Sequence, residues 1–190
     1  MLVVKLGGSL YGSQYLSQWL HQLAQLKTQK VVIVPGGGPF ADCVRDADQA
    51  HHLSNENAHA MAVLAMQQYA LLLSNINSSY IRISNLKTLA SHSDGHYIWL
   101  PYESVMQNCH LPCSWKVTSD SLAAWLAHEC KASHLCLVKS HDINEHIYNS
   151  EHHASIVDEY FSQMIQQYSG KISIYHASQV EKMTKVHSYE

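Results

Sequence analysis

Short apolar runs alternate along this chain with longer segments in which apolar residues recur at helical spacing. Leu2–Leu6 and residues 31–34 are apolar runs that lead into glycines, and residues 31–34 are β-branched. Such runs are typical of strands that are buried on both faces of a parallel sheet. Residues 13–27 instead place leucines along one stripe of a helix, with Ser13 as the predicted N-cap.

The two patterns continue to the end of the chain. They predict further strands over residues 81–83, 97–100, 135–138 and 172–175, and helices over residues 40–50, 55–74, 101–106, 122–127 and 156–168. Because strands alternate with helices throughout, the chain is predicted to be an α/β protein with a mainly parallel sheet flanked by helices. A length of 190 residues fits one domain, or two lobes that share one core.

The composition argues against several classes of binding partner and cellular location. The formal net charge is -3 and no dense block of Lys or Arg occurs, which argues against a nucleic-acid or anionic-membrane surface. No apolar run is long enough to span a bilayer, and Met1 is followed directly by the first apolar run without the features of a signal peptide. Five cysteines without framework spacing indicate reduced thiols, so we expect a cytoplasmic protein.

One short segment carries several soft metal ligands. Cys109, His110 and Cys113 lie within five residues, but no second pair of ligands with matching spacing is evident. Structural zinc sites usually need four ligands. We therefore interpret this segment as a loop and predict no metal site formed by protein side chains.

Two glycine clusters each follow a predicted buried strand and precede a predicted helix. The first contains Gly7, Gly8 and Ser9, and the second contains Gly36, Gly37 and Gly38. At the carboxyl end of a parallel strand, a glycine-rich turn lets backbone N–H groups converge on an anion. Neither cluster matches the Walker A or dinucleotide-binding pattern. Two such loops predict two phosphate-bearing or anionic ligands that face each other, as donor and acceptor.

Charged residues beside these loops suit phosphoryl transfer, which chiefly requires positioning and charge neutralisation. Lys5 and Lys139 end buried strands and are candidate catalytic cations. Asp120 can orient the lysines, although its position is equally consistent with a charge that stabilises a helix N-terminus. Arg45 can grip an acceptor phosphate, or be a solvated helix residue.

At these residues the sequence resembles the amino acid kinase superfamily, which includes acetylglutamate, uridylate, carbamate and isopentenyl phosphate kinases. The matching segments are residues 4–9, 34–38, 118–121 and 137–142, in the family's order. Within the superfamily, residues 35–42, 58–66 and 115–120 are most similar to the [5-(aminomethyl)furan-3-yl]methyl phosphate kinases of methanofuran-type cofactor biosynthesis.

The resemblance implies a three-layer αβα sandwich with an acceptor-binding lobe over about residues 1–112 and a shortened nucleotide-binding lobe over about residues 113–190. It implies ATP and Mg²⁺ as cofactors, an assembly of identical subunits, and a role for Asp120 in organising the catalytic lysine. The implied phosphate- and ATP-binding residues are Gly7, Gly8, Ser9, Thr118 and Ser119, and the implied acceptor-binding residues are Gly36, Gly37, Gly38 and Arg45.

Three functions fit these observations. The first is a kinase that transfers the γ-phosphoryl group of ATP to a small phosphate monoester and forms a diphosphate. The second is a kinase with a carboxylate acceptor, which forms an acyl phosphate. The third is a homologue without catalysis that binds a nucleotide or oxyanion, or has a structural role. The third is favoured by one feature: Gly170 is the only glycine after Gly95.

Overall fold

The computed structural model describes residues 1–27, 29–108, 110–140 and 156–182. These residues form strands β1 (Leu2–Leu6), β2 (Lys30–Pro35), β3 (Ile81–Ile83), β4 (Gly95–Trp99), β5 (His134–Lys139) and β6 (Lys171–His176). Their helices are α1 (Gln14–Leu23), α2 (Gly38–His51), α3 (Asn55–Ile76), α4 (Leu86–Ser91), α5 (Pro101–Asn108), α6 (Ser119–Glu129) and α7 (Phe161–Ile165), and one 3₁₀ turn spans Gly8–Leu10.

The strands form one sheet in the order β3-β4-β2-β1-β5-β6, and every pairing between them is parallel. The predicted α/β class and parallel sheet are therefore confirmed. Strand β1 lies inside the sheet, with β2 on one side and β5 on the other. Parallel α/β sheets usually bind ligands at the carboxyl ends of the strands, at the point where the strand order reverses.

The sheet separates two hydrophobic cores, which makes three layers. Alternate residues of β1, β2 and β5 face opposite sides, as side chains of a strand must. On one side Val3, Val32 and Leu137 pack in the same core as the apolar residues of α6. On the other side Val4 and Ile33 pack in a core with the leucines and tryptophan of α1. The three-layer αβα arrangement is thus present.

The structure differs from the sequence prediction in one predicted helix and in one helix that was not predicted. The helix predicted over residues 156–168 is wrong in extent, because only Phe161–Ile165 is helical. The carboxylate of Asp158 accepts hydrogen bonds from the N–H groups of Tyr160 and Phe161, at 3.2 and 2.9 Å, and this local turn replaces the first helical turns. Helix α4 was not predicted; it begins after Asn85, whose side chain caps it.

The pairing register brings three strand ends together at one edge of the sheet. Leu6 pairs with Pro35 of β2 and with Val138 of β5. Beyond these pairs, the N–H of Gly36 donates to the carbonyl of Leu6 at 2.9 Å, and that of Gly7 donates to the carbonyl of Val138 at 3.3 Å. The ladder hydrogen bonds therefore hold both glycine loops in fixed positions beside the end of β5.

Candidate active site

Lys5, Asp120 and Lys139 form one buried cluster. Lys5 follows Val3 by two residues and Lys139 follows Leu137 by two, so both lysines project from the sheet face that α6 covers. The Nζ atom of Lys5 lies 2.9 Å from Oδ1 of Asp120, and the Nζ atom of Lys139 contacts Oδ2 of the same carboxylate. Two cations share one anion, so the cluster carries one net positive charge.

Burial and the neighbouring charges set the protonation of this cluster. Burial raises the pKa of Asp120, but the positive charges of Lys5 and Lys139 outweigh it and hold that pKa below its usual value. Burial and the charge of Lys5 lower the pKa of Lys139 to about 8, although Asp120 pulls it upward. At neutral pH the cluster therefore holds an ionised carboxylate between two ammonium groups.

The segment that carries Asp120 is fixed by a residue from further along the chain. Oδ2 of Asp158 accepts from the N–H and hydroxyl of Thr118, at 3.0 and 2.8 Å, and from the N–H of Ser121 at 3.0 Å. The hydroxyl of Ser121 donates to Oδ1 of the same carboxylate. Because the Asp158 carboxylate satisfies free donors at the N-terminus of α6, it orients the first turn that presents Asp120 to the lysines.

The two glycine loops are in backbone contact. A Cβ atom placed on Gly8 would lie 2.2 Å from the amide nitrogen of Gly38, and one placed on Gly36 would lie 2.2 Å from that of Gly8. Gly7 adjoins the charged cluster, since a Cβ atom there would lie 3.4 Å from Nζ of Lys5. The loops therefore form one continuous surface next to the lysines.

A cavity of about 470 Å³ opens beside this surface. Its walls come from the glycine loops, α2, α3, the segment before α6, and α6 itself. Residues that line it include Gly8, Ser9, Gly37, Gly38, Arg45, Thr118 and Ser119, which the sequence analysis had singled out, together with His59, Val63, Met66, Trp115 and Leu122. The volume is in the range of small-molecule sites, and the wall is mixed apolar and polar.

Arg45 lines the cavity from helix α2. Its guanidinium group forms an ion pair with Asp42 at 2.8 Å and lies 5.0 Å from the ring centroid of Trp115. The indole N–H of Trp115 donates to Asp48 at 2.8 Å. These contacts join α2 to the segment before α6 and leave Arg45 half exposed at the cavity wall.

The structure brings most of the predicted site residues to one place. Lys5, Gly7, Asp120 and Lys139 meet at the strand ends, and Gly8 joins them to the cavity. Gly36 packs against the Gly7–Gly8 turn instead of lining the cavity. The roles assigned to all these residues stay predictions.

Two of the predicted phosphate-binding hydroxyl groups already have protein partners. The hydroxyl of Thr118 donates to Asp158, and the side chain of Ser9 accepts a hydrogen bond from Ser140 at 2.7 Å. The bond between Ser9 and Ser140 joins the loop after β1 to the residue that follows β5.

Sequence reasoning missed Asp158, Trp115 and His59 as site residues. Asp158 meets Thr118 across 40 residues of sequence, a separation that no local pattern predicts. His59 had a usable signal, because it lies on the same helical face as Ala62 and Met66, at spacings of three and seven residues. A polar residue on such an apolar stripe is a candidate ligand contact.

Within residues 1–27, 29–108, 110–140 and 156–182, no group of three or more His, Cys, Asp or Glu residues is placed to hold a metal ion. Cys109, part of the segment interpreted as a loop, lies outside the described residues. No helix in the described part of the chain is long and apolar enough to cross a membrane.

The chain is similar in sequence to known kinases. Residues 1–93 match the sequence model of the amino acid kinase family. A [5-(aminomethyl)furan-3-yl]methyl phosphate kinase from Methanocaldococcus jannaschii is 33% identical over 129 residues, which cover 66% of this chain and 59% of the relative. The chain thus spans less than two thirds of that relative's length.

Solved structures extend the similarity to the fold of the whole chain. Uridylate kinase from Archaeoglobus fulgidus superposes with a TM-score of 0.73 at 16% sequence identity. The superposition covers 100% of this chain and 96% of the uridylate kinase chain. UMP kinase from Bacillus anthracis gives a TM-score of 0.70 at 12% sequence identity, and the superposition covers 100% of this chain and 92% of the UMP kinase chain. The resemblance to the amino acid kinase family is confirmed: residues 1–93 carry its sequence pattern, and the chain has the fold of these kinases.

Proposed function

We propose that this chain is an ATP-dependent kinase whose acceptor is a small phosphate monoester, such as [5-(aminomethyl)furan-3-yl]methyl phosphate, and whose product is the corresponding diphosphate. The observation that carries the proposal is the shared contact of Lys5 and Lys139 with Asp120, next to the joined glycine loops. Buried, net positive and fixed in position, this cluster has the charge that a transferring phosphoryl group requires.

Each part of the site has a distinct role in this proposal. Lys5 and Lys139 stabilise the negative charge on the oxygens of the transferring group, and Asp120 holds both ammonium groups in place. The N–H of Gly7 already donates to Val138, so the backbone from Gly8 onward holds the phosphoryl group between donor and acceptor. The cavity beside Gly37 and Gly38 binds the acceptor, whose phosphate Arg45 can attract from further along α2. ATP supplies the phosphoryl group when it is bound.

The residues present fit a nucleotide better than a metal held by the protein. The end of β5 and the Gly7–Gly8 turn present a net positive cluster beside a backbone that carries no side chains, which suits a triphosphate. Both oxygens of Asp120 contact lysines, so this carboxylate is not available to Mg²⁺. We therefore propose that Mg²⁺ enters bound to the phosphates of ATP.

The lobe boundaries and the assembly are part of the same proposal. Residues 1–112 supply the acceptor-side walls of α2 and α3, and residues 113–190 supply Asp120 and Lys139. Helix α3 also exposes large apolar side chains, namely Met61, Leu64, Leu71 and Ile76. A second copy of the chain is a natural partner for such a surface.

Product analysis tests the proposed reaction. The purified protein is incubated with Mg-ATP and [5-(aminomethyl)furan-3-yl]methyl phosphate, and phosphorus NMR should show a diphosphate and ADP. A hydroxamate formed in the presence of hydroxylamine and a carboxylate acceptor would instead indicate an acyl phosphate. Absence of turnover together with absence of heat on titration with Mg-ATP would favour a homologue without catalysis and contradict the proposal.

A matched pair of variants ties any activity to the cluster. Lys5→Ala should lower kcat by several orders of magnitude, because it removes a charge partner of the transition state. Lys27→Ala, at an exposed lysine outside the site, should retain wild-type activity. Equal activity of the two variants would remove Lys5 from the mechanism.

A further inference from the structure

The side chain of Arg45 is directed along α2 toward the glycine loops. Its guanidinium group pairs with Asp42, which lies one helical turn closer to the N-terminus of α2, the direction in which helical side chains lean. Asp42 follows Gly38, the first residue of the helix, by four residues, which is about 6 Å along the axis. All three residues line the cavity. The guanidinium group is thus displaced from its own backbone toward the acceptor site proposed beside the loops.

The ion pair with Asp42 does not by itself keep Arg45 in this position. The two side chains are 53% and 69% exposed, and ion pairs in contact with water are weak because water screens both charges. A phosphate monoester carries more negative charge than a carboxylate and offers more acceptor oxygens. Such an acceptor would therefore replace Asp42 as the partner of Arg45, and another contact must hold the guanidinium group during this exchange.

Trp115 supplies a contact of a different kind. The Cζ atom of Arg45 lies over the indole ring of Trp115, 5.0 Å from the ring centroid, which is the arrangement of a cation–π interaction. A guanidinium group over an aromatic ring can still donate hydrogen bonds, because its N–H groups lie in its own plane. The contact with Trp115 can therefore persist while a phosphate binds to Arg45, whereas the phosphate competes directly with Asp42.

Trp115 is held in place independently of Arg45. Its indole N–H donates to Oδ2 of Asp48 at 2.8 Å, and Oδ1 of the same carboxylate accepts from the N–H of Leu53, just beyond the end of α2, at 3.1 Å. Trp115 is 36% exposed, so the hydrogen bond to Asp48 supplies order that core packing does not. Because the indole has an anchor of its own, Trp115 orients Arg45 and not the reverse.

We infer that Trp115 is a positioning residue, which keeps the guanidinium group of Arg45 at the cavity while the phosphate of the acceptor replaces Asp42 as its partner. This inference rests on the proposed function and deepens it. Trp115 lies three residues before Thr118, in the segment that leads into α6 and Asp120. The phosphate site of the acceptor therefore depends on both halves of the chain, and not on α2 and its glycine loop alone.

Substitution of Trp115 with and without Arg45 tests this role. Trp115→Leu should raise the KM of [5-(aminomethyl)furan-3-yl]methyl phosphate by at least about threefold, as expected for loss of a partly exposed cation–π contact. The kcat value should stay within about twofold, because the contact is made equally in the bound ground state and the transition state. Trp115→Phe keeps an aromatic ring and should retain most of the affinity. In the Arg45→Met background, Trp115→Leu should cause no further change in KM.

Two further variants separate positioning from a general effect on structure. Asp42→Asn should not raise the KM of the acceptor, because it removes a negative charge that competes with the phosphate. Lys116→Gln, at the exposed lysine next to Trp115 in sequence, should behave as wild type. If Trp115→Leu raises KM as much without Arg45 as with it, or lowers kcat and leaves KM unchanged, Trp115 does not act through Arg45 and the inference is wrong.

Direct binding keeps the inference separate from the proposed reaction. The same acceptor, and inorganic phosphate as a second probe, are titrated without ATP into wild-type protein and the Trp115 and Arg45 variants in a calorimeter. A Kd that Trp115→Leu raises only when Arg45 is present would support the inference even if no phosphoryl transfer occurred. Turnover without this dependence would retain the proposed function and overturn the role of Trp115. Absence of binding of both probes to wild-type protein would also overturn it.

Discussion

Gly8 and Gly36 face each other at backbone contact distance, although they belong to loops after different strands. A Cβ atom on Gly36 would lie 2.2 Å from the amide nitrogen of Gly8 and 2.9 Å from its Cα atom. These are backbone atoms, which cannot move aside for an added Cβ atom as the end of a flexible side chain can. The absence of side chains at these two positions is therefore a condition for joining the proposed donor and acceptor sites.

Gly36→Ala should separate the two loops. We expect a decrease of kcat/KM by at least about a hundredfold, since small displacements at a reacting centre have large effects, and a decrease of the unfolding free energy by about 1–3 kcal/mol. Steady-state kinetics and urea unfolding measure the two effects. Gly12→Asn is the control, because Gly12 has a φ of 74° that Asn tolerates and no atom within 4 Å of an added Cβ. Wild-type activity in Gly36→Ala would contradict the proposed close approach.

Removing the carboxylate from the cluster should lower the unfolding free energy more than removing one of the two ammonium groups. Asp120→Asn leaves two buried ammonium groups without a counter-charge, so we expect it to lower the unfolding free energy by about 3–5 kcal/mol. Lys139→Met leaves a neutral Lys5–Asp120 pair and should cost no more than about 1 kcal/mol. Denaturant unfolding measures both.

Activity should not follow this order of stability. Both variants should lose several orders of magnitude in kcat, because each removes part of the charge arrangement for phosphoryl transfer. Equal stability of Asp120→Asn and Lys139→Met would show that the two lysines do not depend on the shared carboxylate. Retained activity in Lys139→Met would exclude that lysine from the mechanism.

The pH dependence of activity should report Lys139. Its pKa is about 8, and only the protonated form carries the charge that meets the phosphoryl group. We therefore expect kcat/KM to fall as pH rises through about 8. The Lys139→Arg variant, which stays charged, should lose this decrease if it retains measurable turnover.

Stability measurements distinguish this titration from alkaline unfolding. The pKa of Lys139 lies below its usual value of 10.5, so between pH 8 and 10.5 the unfolded chain binds more protons at this side chain than the folded chain. Its contribution to folding therefore becomes more favourable as pH rises through that window. Activity that falls only together with the folded fraction would contradict the assignment to Lys139.

Asp158→Ala should disturb the site without removing any group that contacts the phosphoryl. Thr118 and Ser121 lose their shared acceptor, so we expect the unfolding free energy to fall by about 2 kcal/mol and kcat to fall by at least about tenfold. Glu159→Gln is the matched control, because Glu159 forms an ion pair with Lys116 on the exposed surface and its loss should leave stability and kcat close to wild type. If both variants behaved alike, Asp158 would have no role in positioning Asp120.

Much of the fold was predictable because local sequence and tertiary structure agree. The apolar run Leu2–Leu6 is a buried central strand, and Ser13 caps α1 by accepting from the N–H of Tyr15 at 3.2 Å. The meeting of Lys5, Lys139 and the glycine loops was also predictable, because residues at the carboxyl ends of adjacent parallel strands necessarily share one edge.

The parts that were not predictable depend on contacts between distant segments. A periodic pattern over residues 156–168 predicted one helix, but the Asp158 carboxylate holds the backbone there in a turn and reaches across to α6. The two glycine clusters predicted two separate cradles. Their direct contact follows from the β1–β2 register and from the Gly36 N–H bonding to Leu6, which only the folded sheet reveals.

The central place of β1 has a consequence for how the protein is made. Lys5 is synthesised early, but Asp120 and Lys139 come from the later part of the chain, and β5 must add to β1 before the three charges meet. A nascent chain that ends before β5 thus has both glycine turns but only one of the two ammonium groups. Assembly of the charge cluster is therefore coupled to the addition of β5 to the sheet.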